Sequence, residues 1–479
     1  MPAGTFHILT FGCQMNVNDS LWLARSLRRL GFVETPLEHA EVTILNTCSV
    51  REKPEQKVYS ALGRIRHATR GTPGAFAVVA GCVAQQIGAG FFERFPQVRL
   101  VVGSDGIAMA PQAIARLCDD PNLRLDYTLF SESYPERDPA LSGAPGETPG
   151  PIAYVNIMQG CDNFCAYCIV PYTRGRQKSR ATGAILDECR AALDNGAKEI
   201  TLLGQNVNAF GLDAHGDPGV SFPGLLRQAA ALPGLERLRF VTPHPKDFSP
   251  ETTALFADLP VLCPRLHLPL QAGSDAVLTR MRRCYDRAGY LRLVEELRRA
   301  RPDLALSTDI IVGFPGESEA DFQETLDMLD AAGFMSSFSF VYSDRPGTKA
   351  SRFPDKIPPE VKAERLDRLQ ERQEILSEQW LAGMVGRETT VLLEGPSRKA
   401  DLPPVAPETD SPKSPSTALT GENKSESWQG RDPWGDAVNV RLPKGVGAPG
   451  MLLPVRLTAA KRHSLLAEPV KPLDQGEKP

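Results

Sequence analysis

Several features are missing from this 479-residue chain, and each absence removes a class of protein. It has no run of about 18 uninterrupted apolar residues, so no segment reads as a membrane-spanning helix. Met1–Thr10 lacks the charged and apolar regions of a secretory signal, so a cytoplasmic location is expected. There is little excess of either charge: 54 Lys and Arg against 58 Asp and Glu leave a net charge of -4. Binding to nucleic acid would then need a local basic face, because phosphate contacts require clustered cations. No internal repeat at solenoid spacing is visible. What remains is a globular composition, 42% apolar and 23% charged. Its length suggests about two to four domains.

Cysteine, in contrast, is plentiful, with ten in the chain. In a reducing compartment, clustered cysteines favour metal binding or catalysis over structural disulfides. Four of them, Cys118, Cys189, Cys263 and Cys284, stand alone in helix-like or apolar stretches. These are expected to be small core residues.

The first part of the chain, residues 5–121, alternates apolar strands with helical patterns, as a parallel α/β sheet does. Strands are expected at Thr5–Gly12, Val42–Thr47, Phe76–Gly81 and Val98–Gly103. Helices are expected at Ser20–Leu30, Gln56–Ala68, near Phe91 and at Ala110–Leu117. Ser131–Pro151, rich in Pro, Gly, Ser and Glu, reads as a loose linker. Six strand–helix units follow within residues 147–381, with strands at Tyr154–Gln159, Glu199–Gln205, Leu238–Val241, Leu266–Leu270, Ser307–Phe314 and Phe338–Tyr342. Such a series suggests a partial β/α barrel, closed off by an amphipathic helix over Val361–Leu381. Residues 384–469 change to short β-like segments, a small all-β domain. Within it, Ala400–Gly430 is so rich in Pro, Ser, Thr and Glu that disorder is expected.

The strongest motif is Gly160-Cys161-Asp162-Asn163-Phe164-Cys165-Ala166-Tyr167-Cys168, directly after the first barrel strand. Three thiolates from one loop can close on one iron–sulfur cluster. With no fourth cysteine, one iron stays open and can take a substrate's amino and carboxylate groups. A structural zinc would want four ligands, and neither a histidine nor a fourth cysteine follows nearby. A second set is less obvious. Cys13, Cys48 and Cys82 are far apart in sequence, yet each ends an expected strand. In a parallel sheet the strand C-termini share one edge, where ligands bind. Three thiols would therefore converge there, with Gly12 and Gly81 allowing a tight turn before the ligand. A second cluster is expected.

The cysteine loop resembles that of the radical S-adenosylmethionine superfamily. The two three-cysteine sets and the C-terminal β segments together resemble the radical methylthiotransferases over nearly the whole chain, the last part being similar to their TRAM domain, an RNA-binding β barrel. Within that family, the chain resembles the branch of tRNA-2-methylthio-N6-dimethylallyladenosine synthases. The resemblance is carried by Phe11-Gly12-Cys13-Gln14-Met15-Asn16, Val170-Pro171-Tyr172-Thr173-Arg174-Gly175-Arg176, Leu203-Gly204-Gln205-Asn206-Val207-Asn208 and His244-Pro245-Lys246-Asp247-Phe248. Leu268-Pro269-Leu270-Gln271-Ala272-Gly273-Ser274 is also similar, with Ala272 where the family commonly has Ser.

The resemblance implies two 4Fe–4S clusters, S-adenosylmethionine as cofactor, and a tRNA anticodon stem-loop as substrate. The implied reaction replaces the C2 hydrogen of N6-isopentenyladenosine at position 37 with a methylthio group. That C–H is strong and not acidic, so a 5′-deoxyadenosyl radical is needed to break it. One S-adenosylmethionine would methylate a sulfur on the N-terminal cluster, and a second would generate the radical. An electron donor of flavodoxin or ferredoxin type and a sulfur donor are implied as partners, with the chain acting as a monomer.

Candidates for holding S-adenosylmethionine are Gln205, Asn206, Gln271, Asp309, Gly313 and Glu317, at barrel strand ends; each is equally well read as a capping or loop residue. Arg174, Arg176, Lys178 and Arg180 alternate along one extended segment and are expected to face tRNA phosphate, with Arg345 and, more weakly, Lys461-Arg462-His463. The bland reading of such a run is a solvated basic face. No catalytic side chain is singled out. The competing functions are a sister methylthiotransferase acting on a ribosomal-protein aspartate or on threonylcarbamoyladenosine, and a non-catalytic iron–sulfur RNA-binding protein.

Overall fold

A computed structural model describes residues 3–49, 54–138, 141, 150–397 and 425–471. The N-terminal strands are β1 (Gly4–Thr10), β2 (Phe32–Glu34), β3 (Val42–Thr47), β4 (Phe76–Gly81), β5 (Val98–Val102) and β6 (Leu125–Tyr127). All pair in parallel, in the order β2-β1-β3-β4-β5-β6. Every residue of β3 and β4 is buried, because helices cover both faces of the sheet. Those helices are α1 (Gln14–Arg29), α2 (Pro54–Ala68), α3 (Cys82–Ile87), α4 (Gly90–Arg94) and α5 (Ala110–Asp119). β2 and β6, three residues each, are edge strands that the apolar pattern did not reveal.

The central region runs β7 (Ile152–Asn156), β8 (Met158–Gln159), α6 (Val170–Thr173), β9 (Lys178–Ser179), α7 (Thr182–Asp194), β10 (Glu199–Leu203), α8 (Phe222–Ala230), β11 (Arg237–Phe240) and α9 (Pro250–Asp258). It continues with β12 (Arg265–His267), α10 (Asp275–Met281), α11 (Arg287–Ala300), β13 (Ala305–Val312), α12 (Glu319–Ala332), β14 (Ser336–Val341) and α13 (Pro359–Met384). Its strands form two parallel sheets, β7-β10-β11 and β12-β13-β14. A parallel bridge between Leu238 and Leu262 joins them into one open, six-stranded partial barrel. α12 starts at a capping box in which Ser318 and Asp321 exchange hydrogen bonds. It ends at Gly333 in the left-handed region. One core of Leu, Ile, Val and Phe fills the space between strands and helices.

β15 (Glu388–Pro396), β16 (Ser425–Arg431), β17 (Ala437–Pro443), β18 (Leu452–Lys461) and β19 (Ser464–Pro469) close a small barrel. It docks where the central strands begin. Arg237, the first residue of β11, donates to the Arg431 and Thr390 carbonyls, both at 2.8 Å. Arg265, the first of β12, donates to the Trp434 carbonyl at 3.0 Å.

Three expectations need correcting. Disorder through Ala400–Gly430 is overturned at its end, because Ser425–Gly430 lies in β16 and Trp428 there is buried; residues 398–424 lie outside the described residues. The Ser131–Pro151 stretch is not loose where it is described. Ser131 N–H donates to Asp105 at 2.7 Å, Glu136 accepts from Arg180, and Arg137 pairs with buried Asp19 at 2.6 Å. Side-chain partners distant in sequence fix a segment whose composition reads as coil. Of the lone cysteines, Cys189 and Cys263 are buried, but Cys118 and Cys284 are exposed. Among the described residues, no helix is long and apolar enough to cross a membrane.

Candidate functional site

β1, β3 and β4 run parallel with Thr10 beside Asn46, and Thr47 beside Gly81. The chain therefore delivers Cys13, Cys48 and Cys82 to one sheet edge. Gly12, at φ +146°, has no room for a side chain: a Cβ there would lie 2.7 Å from the Cys48 Cβ. Gly81, at φ +89°, would drive a Cβ onto the Thr47 carbonyl. Beneath the edge lies a buried amide pair that sequence reading missed. Asn16 donates to Asn46 Oδ1 at 2.8 Å and to the Thr47 carbonyl at 2.9 Å, and Asn46 donates back to the Asn16 carbonyl at 2.9 Å. Cys13 caps the N-terminus of α1, and its thiol is lowered to about 5, first by hydrogen bonding with Cys48 and further by the charge of Arg174.

Arg174 reaches this edge from the barrel. It is buried, 4.0 Å from Asp19 Oδ2, and burial's downward pull on it is outweighed by Cys82, Asp19 and Cys13. Lys178 is buried too, 2.5 Å from Asp105. Arg180 pairs with Glu136 at 2.8 Å and Glu188 at 2.6 Å. Three of the four cations expected to face tRNA phosphate are thus buried against carboxylates. Of the four, Arg176 alone is exposed, and it pairs with Asp162 at 2.8 Å. In the small barrel, Arg462 is exposed against Glu374.

The second set of thiols lies on the loop after β8. Ala166 N–H donates to the Met281 carbonyl at 2.9 Å, and Cys168 N–H to the Cys165 carbonyl at 3.0 Å. Asp162 accepts from Arg176 at 2.8 Å and from Gln177 N–H at 3.1 Å. Asn163 accepts from Lys246 at 2.7 Å. Burial pushes the Cys161 thiol up to about 11 and Cys168 up to about 12. Charge brought by a metal would have to offset that cost for thiolates to form.

Among the described residues, no three of His, Cys, Asp or Glu converge as ligands of a single metal ion do. An iron–sulfur cube places each thiolate on a different iron, so its ligands stand further apart. Both sets fit such a group: each offers three sulfurs, soft donors of the kind iron–sulfur clusters take.

A cavity of about 200 Å³ opens beside Cys168. Ser49, the neighbour of Cys48, lies on one wall. Tyr167, Cys168, Gln271, Asp309, Tyr342 and Arg345 line the rest, with Ile311 and Phe340 as an apolar side. Of the six candidates for S-adenosylmethionine, then, Gln271 and Asp309 face this space. Gln205 is engaged elsewhere: its carbonyl accepts from Gly160 N–H at 2.6 Å and its amide contacts the Met15 sulfur. Asn206 donates to Asp247 at 2.8 Å. Glu317 accepts from Gly313 N–H at 2.6 Å and pairs with Arg365 at 2.7 Å, bracing that loop against α13; burial pushes its carboxyl up to about 7.

Residues 155–329 match the Radical SAM superfamily, and residues 5–103 match an uncharacterized protein family, UPF0004. A tRNA-2-methylthio-N(6)-dimethylallyladenosine synthase of Nitratidesulfovibrio vulgaris strain Hildenborough is 63% identical over 464 residues, 97% of this chain and 98% of that protein. Proteins of the same name from Lawsonia intracellularis and Geobacter sulfurreducens are 57% and 47% identical, over 97% and 82% of this chain and 98% and 87% of theirs. Among solved structures, the radical S-adenosylmethionine methyltransferase TsrM from Kitasatospora setae, with cobalamin and a [4Fe-4S] cluster bound, superposes with a TM-score of 0.55 at 16% identity. The match covers 73% of this chain and 77% of that one, a likeness of fold.

Proposed function

The chain belongs to the tRNA-2-methylthio-N(6)-dimethylallyladenosine synthases, and on that premise we propose how its residues divide the work. It is a radical S-adenosylmethionine enzyme that adds a methylthio group to dimethylallyladenosine in tRNA. Its 4Fe–4S clusters and S-adenosylmethionine supply, when bound, the radical chemistry that an unreactive aromatic C–H requires.

In our reading, Cys161, Cys165 and Cys168 hold the radical-generating cluster, and Cys13, Cys48 and Cys82 hold the cluster that carries sulfur. The observation that carries this division is the shared cavity, with the neighbour of Cys48 on one wall and Cys168 on another. Gln271, Asp309 and Arg345 bind the polar groups of cofactor and nucleoside. Ile311 and Phe340 pack the dimethylallyl chain, an apolar group that gains by leaving water. Gln205 fixes the cysteine loop through Gly160, and Arg174 holds the N-terminal thiols from across the domain boundary. Exposed Arg176 remains for the anticodon stem-loop, whose unstacked bases can be splayed out for recognition. Residues 5–121, 147–381 and 384–469 act as three units of one monomer. A flavodoxin- or ferredoxin-like electron donor and a separate sulfur donor complete the cycle.

The test is turnover by anaerobically reconstituted protein with reductant, S-adenosylmethionine and an anticodon stem-loop carrying dimethylallyladenosine. Cys161→Ala should abolish both 5′-deoxyadenosine and methylthio product. Cys48→Ala should keep 5′-deoxyadenosine and lose the product. Methylthio product at normal rate from Cys48→Ala would reduce the N-terminal cysteines to packing residues.

A further inference from the structure

Arg283 lies on the loop between α10 and α11 and is 4% exposed. Each of its three nitrogens is engaged. Nη1 donates to Cys165 Sγ at 3.5 Å and to the Tyr167 hydroxyl at 3.4 Å, Nε to the Tyr285 hydroxyl at 2.9 Å, and Nη2 to the Pro269 carbonyl at 3.0 Å. The acceptors are two phenols, a carbonyl and a cysteine sulfur. Among the described residues, no carboxylate pairs with it. A guanidinium stays charged at any physiological pH, and burying it without an anion is strongly unfavourable. A cation built into this place is therefore matched to negative charge that arrives with another group.

The backbone gives an independent sign. Arg282 at φ +61° and Cys284 at φ +59°, two of five non-glycine residues in the left-handed region among those described, flank Arg283 on either side. Such conformations persist only where the surroundings impose them, and they gather at functional sites. Here they turn the side chain between them inward onto Cys165.

We propose that Arg283 is a positioning residue for the barrel cluster: its bond to Cys165 orients that ligand, and its buried charge favours the reduced state. The inference rests on Cys161, Cys165 and Cys168 holding that cluster. Reduction adds one electron from the external donor and no proton, leaving the cluster and its three thiolates more negative. The guanidinium neither gives nor takes a proton; it offsets the added charge. Hydrogen bonds to sulfur and nearby charge are known levers on cluster potentials.

The experiment uses full-length protein in a Cys13→Ala, Cys48→Ala, Cys82→Ala background, so that the barrel cluster alone reports. Reconstituted samples are titrated with a graded reductant, and iron content and the electron paramagnetic resonance signal of the reduced cluster are recorded. Arg283→Gln and Arg283→Met should load iron fully yet show at least a tenfold lower ratio of reduced to oxidised cluster at fixed poise. That equals a shift of about 59 mV for a one-electron couple. Arg283→Lys should recover most of it. Variants that load iron and titrate like the parent would overturn the proposal. Loss of iron in all three would also overturn it, making Arg283 a structural residue. Failure of the underlying cluster assignment shows differently: Cys165→Ala would keep the parent's iron and signal.

Discussion

Replacing Asp105 with Asn should loosen the joint between the two cysteine sets. Asp105 follows β5 in the first domain and is 1% exposed. It accepts from Lys178 Nζ at 2.5 Å, from Ser131 N–H at 2.7 Å and from the Gln159 amide. Lys178 and Gln159 belong to β9 and β8, and Gln159 lies two residues before Cys161. Removing the carboxylate charge leaves the Lys178 ammonium buried and unpaired, a loss of about 3–5 kcal/mol. Its remaining bond to the Ser131 carbonyl at 3.1 Å, and the Phe130 ring 5.9 Å away, hold the cost to the lower end. About 3 kcal/mol corresponds to opening roughly 150 times more often, at about 1.4 kcal/mol per factor of ten. Native-state hydrogen exchange read by mass spectrometry resolves this locally. Peptides covering β8, β9 and the turn after β5 should exchange about 150-fold faster, while the small C-terminal barrel is unchanged. Adding Lys178→Met removes the stranded charge and should restore most of the protection. Unchanged exchange in Asp105→Asn, or a double variant no better protected than the single one, would refute the anchor.

Gly81→Ala should cost the N-terminal cluster and spare the barrel cluster, because the new Cβ meets the Thr47 carbonyl beside Cys48; reconstitution should leave about half the iron with the barrel signal intact. His244 is held neutral down to about 2, by burial first and then by the charges of Arg283 and Lys246. The unfolded chain takes up that proton near 6.5 and the folded chain does not, so stability should fall below pH 6.5 by up to about 1.4 kcal/mol per pH unit. In His244→Asn, urea unfolding between pH 6.5 and 4.5 should be correspondingly flatter. Deleting Ser425–Gly430 removes β16 and its buried Trp428, so the small barrel should lose its cooperative thermal transition.

Both cysteine sets were legible in the sequence for different reasons. Cys161, Cys165 and Cys168 form a local motif, and Cys13, Cys48 and Cys82 each follow a strand whose apolar run is plain. The six barrel strands and the β change after α13 were legible through periodicity. What escaped is long-range pairing. Arg174, Lys178 and Arg180 read as an exposed strip facing tRNA phosphate, because charged side chains are usually exposed. Their partners Asp19, Asp105 and Glu136 lie 155, 73 and 44 positions earlier, where no local pattern links them. Gln205 and Glu317 were found as polar residues at strand ends, but their hydrogen bonds aim at the loops they brace. Arg283, amid helical charge, gave no sign of burial.

The topology explains how Ser49, the neighbour of Cys48, and Cys168 come to line one cavity. In the order β2-β1-β3-β4-β5-β6 the chain reverses direction across the sheet between β1 and β3. At such a switch point the loops diverge and leave a crevice beyond the strand C-termini. Cys13 and Cys48 stand on its two sides, and Cys82 closes it from β4. A partial barrel has a corresponding opening at its own strand C-termini, where the loop after β8 carries the other three thiols. Where these two edges meet, one cavity is lined by Cys168 from the barrel and by Ser49, the neighbour of Cys48, from the first domain. Nothing in either sheet alone demands that orientation. The barrel's own cations favour it: among the described residues, Arg174 and Lys178 find their anionic partners only on the first domain. These cations, so close to the cysteine loop, are therefore committed to aligning the two domains.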